Sequence, residues 1–485
     1  MKLRAISLTC AVLLAELCTL SAQTWTPIVN RAPFDASQEF LLTDGRVMVQ
    51  DINNQNEWWA LTPDIKGSYV NGTWSKLASS GADYGPLFYA SAVQKDGRLT
   101  VLGGEYLFNV SAFTNLGAVY TPTTDTWKKL AGEKGLQQIG DASSAVLANG
   151  AWLVAACCDP VSGTDGAALA TGTSLHWTST GTGKADGYDE EGFTLLPNGK
   201  VLTVDLGISK NSELYDPTTG AWSSGGNTVV DFSNPNPCYE IGPAVLRPDG
   251  TVLQVGANTK NAVYNSITGV WSKAPTISGM ASTDGPASIL PNGNVLVAFA
   301  PYNAGNKFCY GQGVVFYEWN GTKFTKVPGP SNASKDPTFV ERMLVLPTGE
   351  VMFTDYSAEV EFYTTKGTPN PAWAPTITKI SSKKLKQDAA YTLTGTQLNG
   401  LTQGAGYGDD FQDATNYPLV RVTSNASGHV FYCRTYNHSS MGVATGSLAV
   451  TTHFETPANI ELGASELVVV ANGIPSAPIA VTVVP

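Results

Sequence analysis

Seven residues stand eight to ten positions ahead of seven regularly placed glycines: Asp35, Tyr89, Asp141, Glu190, Glu240, Asp284 and Glu341. Six are carboxylic acids. Crowded carboxylates raise one another's pKa, so a fold that collects them lets an acid and a base coexist at one pH. Nearby positions add Glu39, Tyr84, Asp189, Glu191, Tyr239 and Arg342, several aromatic groups and one base. Paired carboxylates with aromatic platforms suit general acid/base work on a sugar. The same oxygens suit a hard cation such as Ca²⁺. Tyr84, Tyr89, Tyr239 and Arg342 would equally serve a protein that only holds a polymer. For any single carboxylate the local alternative is an acid that opens a strand and accepts from nearby backbone amides.

The glycines belong to tight turns between short apolar strands, at Asp44-Gly45, Asp96-Gly97, Asn149-Gly150, Asn198-Gly199, Asp249-Gly250, Asn292-Gly293 and Thr348-Gly349, spaced 52, 53, 49, 51, 43 and 56 residues apart. A hairpin repeat near 50 residues predicts kelch-type blades of four strands that must stack on their neighbours, hence an all-β, seven-bladed β-propeller. The Asn-Gly and Asp-Gly pairs predict primed hairpin turns. A strand ending in tyrosine and an outer strand with tryptophan follow, as in Val119 to Trp127, Leu214 to Trp222 and Val263 to Trp271, with the rings expected between blades. An isolated outer-type strand, Thr24 to Ile28, is expected to close the ring on the last blade. Near Ala374-Pro375 the repeat gives way to short alternating strands, which predict an immunoglobulin-like sandwich. The expected domains are 1–22, 23–375 and 376–485.

Residues 1–22 read as a secretory signal: Met1-Lys2-Leu3-Arg4, an apolar run through Leu20, then Ser21-Ala22. Export is expected, and no later segment is apolar for the length of a membrane helix. The net charge of −11, with no local Lys/Arg cluster, argues against a nucleic-acid partner. Beyond Cys10 and Cys18 of the signal remain Cys157, Cys158, Cys238, Cys309 and Cys433, an odd number that leaves at least one thiol unpaired within the chain. Adjacent Cys157 and Cys158 read as two separate buried thiols or as one half of a longer bridge. Sequons stand at Asn71, Asn109, Asn320, Asn332, Asn425 and Asn437.

The stretch Arg434-Thr435-Tyr436-Asn437-His438-Ser439-Ser440 resembles the loop by which the galactose oxidase and glyoxal oxidase family carries a copper-binding histidine from its sandwich into the propeller channel. Asn472-Gly473-Ile474-Pro475-Ser476-Ala477-Pro478 resembles that family's terminal turn. The resemblance spans nearly all of the mature chain. It implies the two-unit fold and an active face at the entrance of the innermost strands, where the residues ahead of the turn glycines fall. It also implies a copper held by two tyrosines and two histidines, one tyrosine being thioether-linked to a cysteine. Here the chain departs from the family. The propeller tyrosine-histidine pair falls on Phe339 and Val340, the linked tyrosine on Phe88 with Tyr89 one residue on, and Pro33-Phe34-Asp35-Ala36-Ser37 holds no cysteine. Of His176, His429, His438 and His453 only His438 matches a family ligand, and a stable site needs several nitrogen ligands. Copper is therefore not expected, nor any other cofactor unless the acids take Ca²⁺.

The expected function is a secreted propeller that acts on or binds extracellular carbohydrate through an acidic channel mouth. Glu190, Glu240 and Glu341 would be the acid/base groups of a hydrolase or lyase. Asp35, Tyr84, Tyr89, Asp141, Asp189, Tyr239, Asp284 and Arg342 would contact substrate, with His438 at the roof or on the surface beside a sequon. The alternatives are a copper-radical oxidase with a modified site and a non-catalytic carbohydrate- or protein-binding propeller. No nucleic-acid or membrane partner is expected.

Overall fold

The computed structural model describes residues 23–141, 143–157, 166–181, 183–233, 240–302, 310–407 and 413–485. The expected leader, Tyr239, Cys158, Cys238 and Cys309 lie outside the described residues. Cys157 is disulfide-bonded, which sets aside the reading of two separate thiols, and Cys433 is a buried free thiol. Among the described residues the only helical turns are Thr338–Val340 and Pro371–Trp373, and no helix is long and apolar enough to cross a membrane.

Antiparallel four-strand meanders follow one another along the chain, the first being Ala36–Leu41, Val47–Asp51, Trp58–Thr62 and Thr73–Lys76. Ala90–Val93, Ser144–Val146, Thr194–Leu195, Ala244–Leu246, Pro286–Ile289 and Arg342–Val345 open the later ones. The arrangement is all-β and propeller-like. The inner strands are buried on both faces because each sheet stacks between two others, which is why they read as continuous apolar runs, while the outer strands are largely exposed.

Each turn glycine donates its N–H three residues back, Gly45 to Leu42 O at 3.0 Å and Gly349 to Leu346 O at 2.9 Å. The glycines lie at φ +81° to +86°, whereas the Asp, Asn or Thr before each has no positive φ. These are type I turns completed by a left-handed glycine, not the primed turns expected, because a primed type I turn needs two positive φ values in succession. The pairs Tyr120–Trp127, Tyr215–Trp222 and Tyr264–Trp271 sit with ring centroids 5.2, 5.2 and 5.1 Å apart. The outer tryptophans also tie sheet to sheet, Trp127 Nε1 donating to Ala78 O at 2.9 Å and Trp271 Nε1 to Ser212 Oγ at 3.0 Å.

The first strand, Thr24–Pro27, pairs antiparallel with Glu361–Thr364 at the far end of the repeat, closing the series on itself. Trp25 packs on Phe316, Phe353 and Tyr363 and donates to Pro328 O at 2.7 Å. Trp25→Ala is expected to cost about 2 kcal/mol, less than a fully buried tryptophan because Trp25 is half exposed. An unchanged melting temperature would show that this strand does not hold the ring shut.

Beyond residue 375, strands including Ala390–Thr396, Leu419–Ser424, Val430–Tyr436, Ala449–Glu455 and Gly463–Ala471 enclose a separate apolar cluster around Leu393, Val422, Phe454 and Leu467. This unit packs on the turn end of the meanders: a Cβ on Gly45 would strike the Tyr432 ring, and one on Gly97 would lie 3.0 Å from Thr435 O. From it a strap, described over residues 398–407 and 413–417, enters among the innermost strands. Its strand Ala405–Tyr407 pairs with Pro286–Ser288, and Gln403 Oε1 accepts from Leu195 N at 2.7 Å. Tyr417 donates its hydroxyl to Leu41 O. The strap supplies partners to backbone groups that an innermost strand would otherwise leave unpaired.

Candidate functional site

At the opposite end from the turns, the chain kinks into four of the innermost strands through a left-handed residue. Phe88, Asp141, Glu190 and Asp284 have φ of 49°, 45°, 58° and 41°. For residues with a side chain this conformation is uncommon and holds only where the surroundings enforce it. Here neighbouring entrances brace one another: Glu190 N donates to Asp141 O at 2.9 Å, Asp284 N to Ile241 O at 3.0 Å, and Glu105 N to Phe88 O at 3.0 Å.

The result is a carboxyl cluster. Oxygens of Glu190, Glu240 and Asp284 lie within 4.8 Å of one another, with Glu190 and Glu240 half-buried and Asp284 buried. The Tyr310 hydroxyl lies 2.6 Å from Glu240 Oε1 and 2.6 Å from Asp284 Oδ2. A phenol has one proton to donate, so two such contacts require that one carboxyl be protonated and donate to the phenol oxygen. The electrostatics agree. Burial and the charge of Asp284 push Glu240 well above the usual carboxylate range. Burial pushes Asp284 up, against hydrogen bonds from Glu240 and Tyr310 and the charge of Arg342. Glu105 is raised by burial and by Asp284, and bonds to Tyr106 and Asp141 pull it back. Asp141 thus joins the same cluster through Glu105.

Arg342 is the buried base of this region. Its Nη1 donates to Phe339 O at 2.6 Å and Glu341 O at 2.8 Å, Nε to Gln38 Oε1 at 3.1 Å, and Nη2 to the Tyr356 hydroxyl at 3.1 Å. Its guanidinium lies 4.1 Å from the centre of the Tyr407 ring, carried in by the strap. Tyr407 is fixed by its own hydroxyl, which donates to Phe339 O at 2.8 Å. Two buried acids, Glu39 and Asp413, also feel the arginine; burial and mutual repulsion raise Glu39, whose oxygens have no hydrogen-bond partner.

The other expected site residues lie elsewhere. Glu341 is fully buried, and its pKa is raised by burial and by Asp336 and Asp355. It precedes Arg342, and successive strand residues face opposite ways, so one inward side chain turns the other out. Asp35 lines a separate cavity and accepts from Asn53 Nδ2 at 2.7 Å. The Tyr84 hydroxyl donates to Gly103 O at 2.9 Å and that of Tyr89 to Gln50 Oε1 at 2.9 Å; both rings are buried in the packing. Asp189 is exposed.

His438 does not reach the channel. Its N–H donates to Lys95 O at 3.1 Å beside the Gly97 turn, Nδ1 meets Thr452 Oγ1 at 2.9 Å, and burial with His453 nearby lowers its pKa to about 3. The strap takes the place among the innermost strands that the resemblance assigned to the histidine loop. Tyr310, Glu105, Tyr407 and Asp413 were missed because no fixed offset from a turn glycine points to them. Only Glu105 had a local signal, the Gly103-Gly104 pair before it, which marks a close backbone approach.

Glu191 belongs to a different cluster. The buried Lys184 ammonium lies 2.6 Å from Asp186, 2.8 Å from Glu191, 3.3 Å from Glu213 and 3.9 Å from Asp205. Burial, with Asp186 adding to it and Lys184 opposing, pushes Asp205 up to about 7. The folded chain therefore holds a proton that the unfolded chain has released, and this contribution to stability is lost as pH rises from the ordinary carboxylate range through about 7. Asp205→Asn is expected to narrow the difference in thermal midpoint between about pH 5 and about pH 8. An unchanged difference would rule out this origin.

No protein-family model and no curated protein sequence matches the chain. Among solved structures, it is similar to a fungal alcohol oxidase of the AA5 family in complex with copper, at 12% identity and a TM-score of 0.54, over 96% of this chain and 100% of that one. It is also similar to the WD40 β-propeller domain of Doa1, at 10% identity and a TM-score of 0.44, over 71% of this chain and 98% of that one. The first likeness, at such low identity, speaks for the fold alone, and that fold is of the galactose-oxidase-like, propeller kind.

Proposed function

We propose that this chain is an exported, seven-bladed kelch-type propeller with a C-terminal immunoglobulin-like sandwich, acting on extracellular carbohydrate at its carboxyl cluster by hydrolysis or elimination. The observation that carries the reading is the Tyr310 hydroxyl at 2.6 Å from both Glu240 and Asp284, which keeps one carboxyl protonated beside others that ionise. Glu240 is the acid and Glu190 the base in this reading, both open to solvent, with Asp284 and Tyr310 holding the proton. Glu190 and Glu240 hydrogen-bond to each other, so substrate would have to part them to reach the spacing of about 5–5.5 Å of a retaining glycosidase or about 6.5–9.5 Å of an inverting one.

The donor set does not fit copper. His176 lies on an exposed outer strand, His429 pairs with Glu461, and His438 and His453 lie in the C-terminal unit, while Arg342 and the Phe339 carbonyl occupy the channel. A binding-only propeller differs in turnover alone. Cation binding is a second reading, favoured by the convergence of Glu190, Glu240 and Asp284 and by Asp284 Oδ1, buried without a hydrogen-bond partner. The test is a glycan array on the secreted chain, with and without chelator, followed by reducing-end release from any bound polymer. Binding with release supports an enzyme, binding without release a lectin, and loss with chelator the cation. No binding to any glycan would overturn the proposal.

A further inference from the structure

Outward from the carboxyl cluster, between the sheets that begin at Thr194–Leu195 and Ala244–Leu246, lies a cavity of about 320 Å³ lined by Lys210, Lys260, Lys273, Val229, Val230 and Asp231, among others. It opens on the same face as the cluster. Lys210 lies in the connection from Val201–Val204 to Ser212–Asp216, Lys260 in the matching connection from Thr251–Val255 to Asn261–Asn265, and Val229 to Asp231 in the segment that leads to Glu240. In an antiparallel meander these connections leave at the end where the innermost strand starts.

Three lysines and one aspartate line the cavity. Among the described residues, Lys210, Lys260 and Lys273 make no ion pair, although Lys76, Lys129, Lys184 and Lys200 do, in a chain of net charge −11. The carboxylate in the cavity, Asp231, already accepts from the Ser209 hydroxyl at 2.9 Å and the Ser233 hydroxyl at 3.2 Å.

The walls are braced from both sheets. Thr228 N donates to Lys210 O at 3.1 Å, and Asn258 Nδ2 donates to Asp231 O at 2.9 Å and Ser233 O at 2.8 Å, while Asn258 Oδ1 accepts from Lys260 N at 2.8 Å. Val229 sits at φ +60°, a left-handed conformation that a β-branched side chain rarely adopts, held by its N–H donating to Asn227 Oδ1 at 2.8 Å. A wall strained in this way and anchored to two sheets places Val229 and Val230 in the same cavity as Lys210, Lys260 and Lys273.

We infer that this cavity binds the anionic substituent, carboxylate or sulfate ester, of an acidic polysaccharide whose chain runs across the face to the carboxyl cluster. Like charge keeps such a substituent away from Glu190, Glu240 and Asp284 and favours the lysines. The valines suit the apolar face of the sugar ring that carries it. The inference rests on the carbohydrate reading and narrows its substrate class.

The test measures binding by calorimetry of the full chain to oligogalacturonate, to chondroitin sulfate oligosaccharides and to neutral dextran oligosaccharides, in low and high salt. The exposed triple variant Lys210→Gln/Lys260→Gln/Lys273→Gln is run in parallel, with the circular dichroism melt as a check on its fold. At least one acidic ligand is expected to bind more tightly than the neutral one, to weaken with salt, and to lose about tenfold affinity in the triple variant. The two acidic arms separate carboxylate from sulfate. Neutral oligosaccharides binding as well as acidic ones, or a triple variant that binds acidic ligands like the wild type, would overturn the inference and leave the carbohydrate reading standing. No binding in any arm would overturn both.

Discussion

Replacing Arg342 by methionine is expected to lower the stability of the chain by about 3–5 kcal/mol, the largest loss from any single substitution considered, read as a shift in the denaturation midpoint. The side chain is 1% exposed, so its charge is solvated by the protein alone. It satisfies the carbonyls of Phe339 and Glu341, the amide of Gln38 and the hydroxyl of Tyr356, and it stacks on Tyr407. It also holds down the pKa values of Glu39, Asp413 and Asp284. Methionine fills similar space and provides none of this, leaving the Phe339 carbonyl only its bond from the Tyr407 hydroxyl and the buried acids uncompensated. Adding Asp413→Asn removes one of those acids and is expected to restore part of the loss. A midpoint equal to that of the wild type would show that the acids are neutral already and that the guanidinium is not their counter-charge.

The second large effect is on turnover. Glu240→Gln keeps the shape of the carboxyl cluster and removes its exchangeable proton, so a drop of about 10²–10⁴ in the rate of reducing-end release is expected, with binding retained. Tyr310→Phe removes the hydroxyl shared by Glu240 and Asp284 and is expected to move the alkaline limb of the pH profile. The acid form is the active one in Glu240, so activity falls as pH rises through its raised pKa. Glu341→Gln is the control. That carboxyl faces Asp336 and Asp355 rather than the cluster, and its loss is expected to change stability and not rate. Full activity in Glu240→Gln would remove the acid assignment.

The seven Gly turns were legible because each depends on a few adjacent residues: an apolar run, a short polar residue and a glycine able to take φ above +80°. The closure by Thr24–Pro27 was legible for a related reason, since Trp25 matches the tryptophan of five other outer strands, Trp74, Trp127, Trp177, Trp222 and Trp271. The offset from the turn glycine also located Asp141, Glu190, Glu240 and Asp284, because it counts residues along one innermost strand. The turn type was misread, as Asp-Gly and Asn-Gly suit both a primed turn and a type I turn with a left-handed glycine, and strand twist in the folded sheet decides between them.

The chain's own pattern thus determined a closed series of meanders and the set of acids that stand at its mouth. Tertiary structure alone decided which acids meet. Tyr310 joins Glu240 from 70 residues away and Asp284 from 26, and the Tyr407 hydroxyl reaches the Phe339 carbonyl across 68. No local period records contacts over such separations. The left-handed kink at Glu190 and Asp284, the outward turn of Glu341 and the strap that takes the place expected for His438 likewise follow from backbone groups on neighbouring sheets that had to find partners, which is a property of the assembled ring rather than of any segment in it.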